Sequence, residues 1–431
     1  MILKTNFDNI RRFTGCGALV LLASTAACGD DGGSNSTDTG HTHDVEDTGI
    51  GDVPSDAATG CDVTPGVWSA DGFETNAAGA LAMRDAIVTL QDDIMNTAEQ
   101  VTWGDEPVAA PTLEDLTAAY EAGDPSIKDM TAPALDALIQ QTFEDWVEAL
   151  DQDPATYLFI NVDGTEWVAT GAGGVHERPA ADDGTRRFRA YGAGGVELRQ
   201  LVDKGLFVGT LYNYALSLTE GEITPATIHA LAAAYGANPD LEASPAEGEP
   251  GLEDSANYAR TMGLFDEAAA ALTDAQAYAG DASCEVERDA AIVEFFRYWE
   301  EAMFARGTYY AGAPWRATLD PTDPDTLFDP LHGAAEGWGL IAGMLDIEDP
   351  ASGPLSAGAR ISTNEEIITL LEANGLDLDD LSAGTTGEWL VESPSTYSDG
   401  FTGTFKTTVQ DIFGWDEDTF EVYSTSPVAN E

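Results

Sequence analysis

Residues 331–341 read Leu-His-Gly-Ala-Ala-Glu-Gly-Trp-Gly-Leu-Ile. On a helix His332 and Glu336 stand at i and i+4, so an imidazole and a carboxylate project from one face. Such a pair can coordinate a cation or hydrogen-bond to neighbouring helices. Small residues surround it: Gly333, Ala334, Ala335, Gly337 and Gly339. Each interior Gly costs about 1 kcal/mol of helix propensity relative to Ala, which is offset where another helix or a ligand comes close. Asp266 and Glu267, which follow Phe265, are the candidates to complete a metal site with His332 and Glu336. Further carboxylates stand at Glu294, Glu300 and Glu301, and at Asp320, Asp323, Asp325 and Asp329 ahead of His332. Oxygen ligands alone suit calcium, and an added imidazole moves the preference toward iron or zinc.

Lys204 is the other residue with chemical character. It lies among Leu201, Val202, Leu206 and Phe207, where a lysine either snorkels to water or pairs with a carboxylate. Pairing with Glu336 or Asp266 would make a buried ionic network that fixes helix register. Other chemistry is missing. The chain has no G-x-S-x-G elbow, no Walker loop, no H-E-x-x-H and no zinc-finger cysteine spacing. Beyond residue 60 the histidines are His176, His229 and His332, so a histidine-dependent mechanism has few seats.

The elements that must position these residues are helical. Met83, Ile87, Leu90 and Ile94 share one face of a helix over roughly residues 75–100. Thr112 and Asp115 form a capping-box-like start, and Thr131 with Pro133 opens a helix striped by Leu135, Leu138, Ile139, Thr142, Trp146 and Leu150. Further helices are expected over 194–218, 224–235 with Gly236 as stop, 253–273, 285–304, 325–345 and 363–373 with Asn374-Gly375 as stop. Strand signals are confined to 157–162 and 165–168 around Asp163-Gly164. The sequence Gly-Ala-Gly-Gly-Val recurs at 171 and 192, and reads as loop leading into a helix start. The stretch after Leu376 has no clear period. These features predict an all-α helical bundle, possibly two sub-bundles, with at most one small hairpin.

Composition sets the surroundings. With 77 Asp+Glu against 18 Lys+Arg the net charge is −59, which repels nucleic acid and anionic headgroups and tolerates cations or cationic partners. At 43 % hydrophobic the chain can still bury a sizeable core. Residues 1–27 combine Lys4, Arg11 and Arg12 with a short apolar run ending Ser24-Thr25-Ala26-Ala27 before Cys28. That is a secretory signal with a lipobox-like end in which Thr25 replaces the usual Leu. The expectation is lipidation at Cys28, the alternative ordinary cleavage after the Ala-rich end to give a secreted chain. Residues 28–60 are rich in Gly, Asp, Ser and Thr and read as a disordered acidic tether. The helical-bundle domain then spans 61–431, attached to the envelope through its lipid. Cys16 leaves with the signal, so Cys61 and Cys284 remain to form one disulfide or to stand as two thiols.

The run Gly195-Val196-Glu197-Leu198-Arg199-Gln200-Leu201-Val202-Asp203-Lys204-Gly205-Leu206 resembles the G-x-E-x-x-Q-x-x-x-K-G-L segment of a bacterial family, the domain of unknown function 4856. His332 to Ile341 is similar to that family's later H-x-x-x-E-G-x-G-F-I-like pattern, and Phe265-Asp266-Glu267-Ala268 stands where it has W-D-E-A. The more distant resemblance is to imelysin-like proteins, extracytoplasmic helical bundles associated with iron uptake and in one case named as peptidases. Their H-x-x-E is one residue shorter than the His332–Glu336 spacing. The resemblance implies export, a helical fold, and a shared locale for Glu197, Gln200, Lys204, Asp266, Glu267, His332 and Glu336. The expectation is an exported, lipid-anchored ligand-binding protein of the periplasm or cell surface, its ligand a metal such as iron, zinc or calcium. The alternatives are an imelysin-like metal-dependent hydrolase and a non-catalytic structural envelope protein.

Overall fold

The computed structural model describes residues 60–102, 109–151, 159–162, 166–169, 174–178, 187–192, 195–243, 254–313, 328–356, 360–376, 378 and 394–425. The signal segment, Cys28 and nearly all of the tether lie outside them. So does Gly171–Gly173 of the first glycine repeat, while its last two residues, Gly174 and Val175, open a strand.

Apolar periodicity and end signals together set the helices. Helix α1 covers residues 78–102 and widens to a π-helix over Thr89–Asn96. Helix α2, Leu113–Tyr120, opens on a reciprocal capping box between Thr112 and Asp115. Helix α3, Pro133–Leu150, has Pro at its first position and buries the whole predicted stripe from Leu135 to Leu150. Helix α4 covers 198–218, with a π-helical stretch at Leu206–Thr210. Helix α5, Pro225–Tyr235, is boxed by Thr224 and Thr227 and stopped by Gly236 in the left-handed region at φ 108°. Helices α6 (Ser255–Met262), α7 (Phe265–Ala279), α8 (Glu285–Ala311), α9 (Phe328–Ala342) and α10 (Asn364–Ala373) follow.

Several outcomes differ from expectation. The helix predicted over 253–273 is two, because Gly263 at φ 75° ends α6 and the chain restarts at Phe265. The tail folds as helix α11 over 394–413 and helix α12, Glu417–Thr425. The expected hairpin forms between β1, Phe159–Val162, and β2, Glu166–Ala169. A second pairs β3, Gly174–Arg178, with β4, Arg187–Tyr191, so the allowance of one hairpin was too small. The class remains all-α, and all described residues fall in one compact unit. Among the described residues no helix is long and apolar enough to cross a membrane.

The packing of α9 positions the candidate residues. A Cβ built on Gly339 would lie 2.7 Å from Lys204 Cβ and 2.9 Å from the Gln200 carbonyl oxygen, and one on Gly343 would lie 2.8 Å from Val208 Cβ. A Cβ at Gly337 would meet the Ala311 nitrogen at 2.7 Å, and one at Gly333 the Ala313 Cβ at 2.8 Å. Helix α9 is therefore pressed backbone-close against α4 on one side and α8 on the other. Its small residues are the surfaces of those two contacts.

Trp299 and Phe295 of α8 meet Tyr212 and Tyr235 edge-on to build the adjoining aromatic core. Cys61 and Cys284 form a disulfide, with Cα atoms 4.7 Å apart. It fastens the start of the described body to the entry of α8. Buried His229 continues that fastening. Its Nε2 donates to the Ser69 carbonyl at 2.7 Å, and Asn76 Nδ2 donates to its Nδ1 at 2.9 Å.

Candidate functional site

The first half of α9 presents His332 and Glu336 toward the first two turns of α4, which carry Glu197, Arg199, Asp203 and Lys204. Strand β4 brings Arg189 to the same place, and the end of α1 brings Glu99. Glu99, Arg189, Glu197, Asp203, Lys204 and Glu336 are buried, while the side chains of Arg199 and His332 keep 12 % and 13 % of their surface.

They form a continuous line of charges. Arg189 Nη1 donates to Glu197 Oε2 at 2.8 Å, and His332 Nδ1 donates to the same oxygen at 2.9 Å. His332 Nε2 stands 3.7 Å from Glu336 Oε2. The other Glu336 oxygen is 3.3 Å from Lys204 Nζ, which is also 3.5 Å from Asp203 Oδ2. Asp203 Oδ2 lies 3.8 Å from Arg199 Nη1, and Arg199 Nε donates to Glu99 Oε2 at 3.2 Å. Glu99 Oε1 accepts from Trp146 Nε1 at 2.9 Å and from the Ala190 backbone at 3.3 Å. The line thus ties α3, α1, β4, α4 and α9 together through side chains that no local pattern connects.

The electrostatics fix the state of its ends. Burial alone would push the Glu197 carboxyl up, yet Arg189, His332 and Arg199 hold it well below the usual carboxylate range. Glu197 is therefore an ionised acceptor, and the imidazole must offer it an N–H from Nδ1. When His332 is neutral its Nε2 lone pair faces Glu336, the arrangement in which a carboxylate orients a histidine toward a ligand. Glu99 shows the opposite balance, burial raising its carboxyl against the pull of Arg199. Among the described members of this line, the carboxylates of Glu99, Glu197, Asp203 and Glu336 outnumber the fixed cations Arg189, Arg199 and Lys204.

Of the sequence candidates, the structure brings Glu197, Lys204, His332 and Glu336 into contact. Gln200 is buried beside them with Oε1 unpartnered, its carbonyl oxygen lying under Gly339. Asp266 and Glu267 do not join. They sit exposed in the first turn of α7, whose burial is against α8 and α5. Glu300 instead accepts the Ile361 and Ser362 amides at 3.0 and 2.9 Å, and Glu301 accepts from Trp415 Nε1 at 2.9 Å. Asp320, Asp323 and Asp325 lie outside the described residues. Among the described residues no group of three or more His, Cys, Asp or Glu side chains is arranged to hold a metal ion. His332 Nε2 and Glu336 Oε2 are the two potential donor atoms that face each other, 3.7 Å apart.

Glu99, Arg189 and Arg199 were not singled out from the sequence. The available signal was the scarcity of bases, since with 18 Lys+Arg in 431 residues every arginine beside apolar residues is conspicuous. No family model, no curated protein and no solved structure matches the chain.

Proposed function

We propose that the protein is an exported, lipid-anchored, ligand-binding protein of the cell envelope. Its binding centre is the His332 end of the buried charge line, and its ligand is a cation, in the first instance a divalent metal such as iron. The single observation that carries this reading is the polarised Glu197–His332–Glu336 row. Glu197 holds Nδ1 at 2.9 Å, which leaves Nε2, 3.7 Å from Glu336 Oε2, on a side chain that keeps 13 % of its surface. Export and anchoring rest on residues 1–28, and on the resemblance of the motifs at 195–206 and 332–341 to the domain of unknown function 4856 family.

A second reading is favoured by Lys204, which occupies the other Glu336 oxygen at 3.3 Å. In it the line is a helix-locking network, and the protein is a non-catalytic structural component of the envelope. The test is elemental analysis of the mature chain after equilibration with Fe(II), Zn(II) or Ca(II) and dialysis against a weak chelator. Wild type is run beside His332→Gln and Glu336→Gln, with folding checked by circular dichroism. Near-stoichiometric metal in wild type, lost in both folded variants, supports binding. Equal, low metal in all three refutes it and leaves the network as packing chemistry.

A further inference from the structure

Arg306, on α8, lies beside this line without belonging to it. Its guanidinium packs over the rings of Tyr310, Tyr309 and Tyr258 at 4.3, 4.9 and 5.5 Å from their centroids. Nη2 donates to Tyr310 Oη at 2.7 Å. Nε and Nη1 are buried and have no hydrogen-bond partner. The hydroxyl of Tyr258, a residue only 3 % exposed, is buried and unpartnered too. Lys204 Nζ lies 5.6 Å from the same Tyr258 ring.

The other inward-facing cations show how this chain normally treats a base, although Arg84 and Arg360 each keep one unmatched Nε. Arg84 has Asp254 at 2.9 Å, Arg189 has Glu197 at 2.8 Å and Arg199 has Glu99 at 3.2 Å. Lys204 has Glu336, and Arg360 donates to the Ile347 and Met344 carbonyls. A buried donor left unmatched is destabilising, more so when it is charged. In a chain with 77 acidic residues a carboxylate partner would be simple to supply, yet among the described residues Arg306 has none.

We propose that Arg306, with Tyr258, is the seat for an oxyanion that none of the described residues provides, namely the carboxylate of a small molecule. Two guanidinium N–H groups and one phenol O–H are the donors such a group needs. Glu336 acts electrostatically on both Arg306 and Tyr258 and already places one negative charge beside them. That favours a singly charged carboxylate over a phosphate dianion. The inference does not depend on a cation at His332.

The experiment is thermal unfolding of the mature chain titrated with sodium acetate, sodium succinate or sodium phosphate, against sodium chloride at matched ionic strength. Wild type, Tyr258→Phe, Arg306→Gln and His332→Gln are compared. The expected result is a saturable rise in Tm with a carboxylate beyond that with chloride. Its midpoint should be at least about tenfold weaker in Tyr258→Phe, the response absent in Arg306→Gln and retained in His332→Gln. Tyr258→Phe removes a single oxygen and keeps the assignment testable if Arg306→Gln does not fold. A wild-type response equal to chloride, or equal in wild type and Tyr258→Phe, overturns the proposal. A larger response to phosphate overturns the carboxylate assignment. Loss in His332→Gln places the anion elsewhere and overturns the site.

Discussion

Replacing Lys204 by Met tests whether the charge line is the interior network described above. Lys204 is fully buried, with Nζ 3.3 Å from Glu336 and 3.5 Å from Asp203. Methionine keeps the length and apolar stem of the side chain and removes the charge, leaving Asp203 with Arg199 at 3.8 Å and Glu336 with His332 at 3.7 Å. Breaking a buried pair costs about 3–5 kcal/mol where the remaining charge is neither solvated nor paired, and less where a weaker partner stays. Both contacts are longer than the 2.7–2.9 Å of a strong charge-assisted bond, so the lower end, about 3 kcal/mol, is expected. Adding Glu336→Gln removes one stranded charge, and the double variant should recover about 2 kcal/mol of that loss. The assay is urea unfolding at pH 7 of wild type, both single variants and the double, read as a thermodynamic cycle. A loss below about 0.5 kcal/mol in Lys204→Met is the value of a surface pair and would refute the burial argument. A cycle without coupling would show that Lys204 and Glu336 do not act on each other.

Other outcomes follow from the same contacts. Gly339→Ala gains about 1 kcal/mol of helix propensity but drives a methyl to 2.7 Å from Lys204 Cβ, so a net loss of about 1–2 kcal/mol should appear in denaturant melts. The Glu197 carboxyl is held below its ordinary range by Arg189, so its contribution is complete above about pH 4.3 and is lost as pH falls from there. Glu197→Gln should flatten that acid limb of stability against pH. Glu99 is raised by burial, so stability declines as pH rises from about 4.3 toward its elevated value, and Glu99→Gln should remove that decline. The Cys61–Cys284 bond closes a separation of 223 residues, for which loop-closure entropy gives about 5 kcal/mol; Cys61→Ser/Cys284→Ser should lower unfolding stability by about 2–5 kcal/mol. Added salt screens exposed acids over a Debye length of about 10 Å at 0.1 M but reaches buried pairs much less, so it should stabilise wild type and Lys204→Met/Glu336→Gln equally.

What the sequence made legible was local. Thr112, Thr224 and Thr363 announce their helices because a capping hydroxyl and its partner lie three residues apart, and Gly236 and Gly375 announce the ends because φ is positive there. The His332–Glu336 face and the tight small-residue contacts beside it were readable for the same reason. Gly263 was not read as a stop, because a Gly costs a helix only about 1 kcal/mol and the apolar pattern runs through it. Strands β3 and β4 escaped notice because the glycines at 171–174 and the basic residues at 186–189 obscure any alternation. The partners of the site were hidden by distance along the chain: His332 meets Glu197 across 135 residues, and Arg199 meets Glu99 across 100. No spacing rule reaches that far. Asp266 and Glu267 were drawn in by their neighbourhood in a motif, whereas α7 turns them to solvent.

The distribution of the scarce cations explains why the interior is informative in this chain. Lys128, Arg297 and Lys406 form surface pairs with Glu121, Glu294 and Glu417, and pairs of that kind contribute little. Removing such a base merely makes an acidic surface slightly more acidic. Removing Arg84, Arg189, Arg199 or Lys204 leaves a buried carboxylate bare. A chain at −59 can therefore dispense with surface bases at small cost and must keep interior ones opposite their acids. By that logic a buried base opposite an acid is explained by the acid. Arg306 packs among tyrosines with Nε and Nη1 buried and unmatched, and among the described residues no carboxylate hydrogen-bonds it. The carboxylate of a bound molecule is the partner proposed for it.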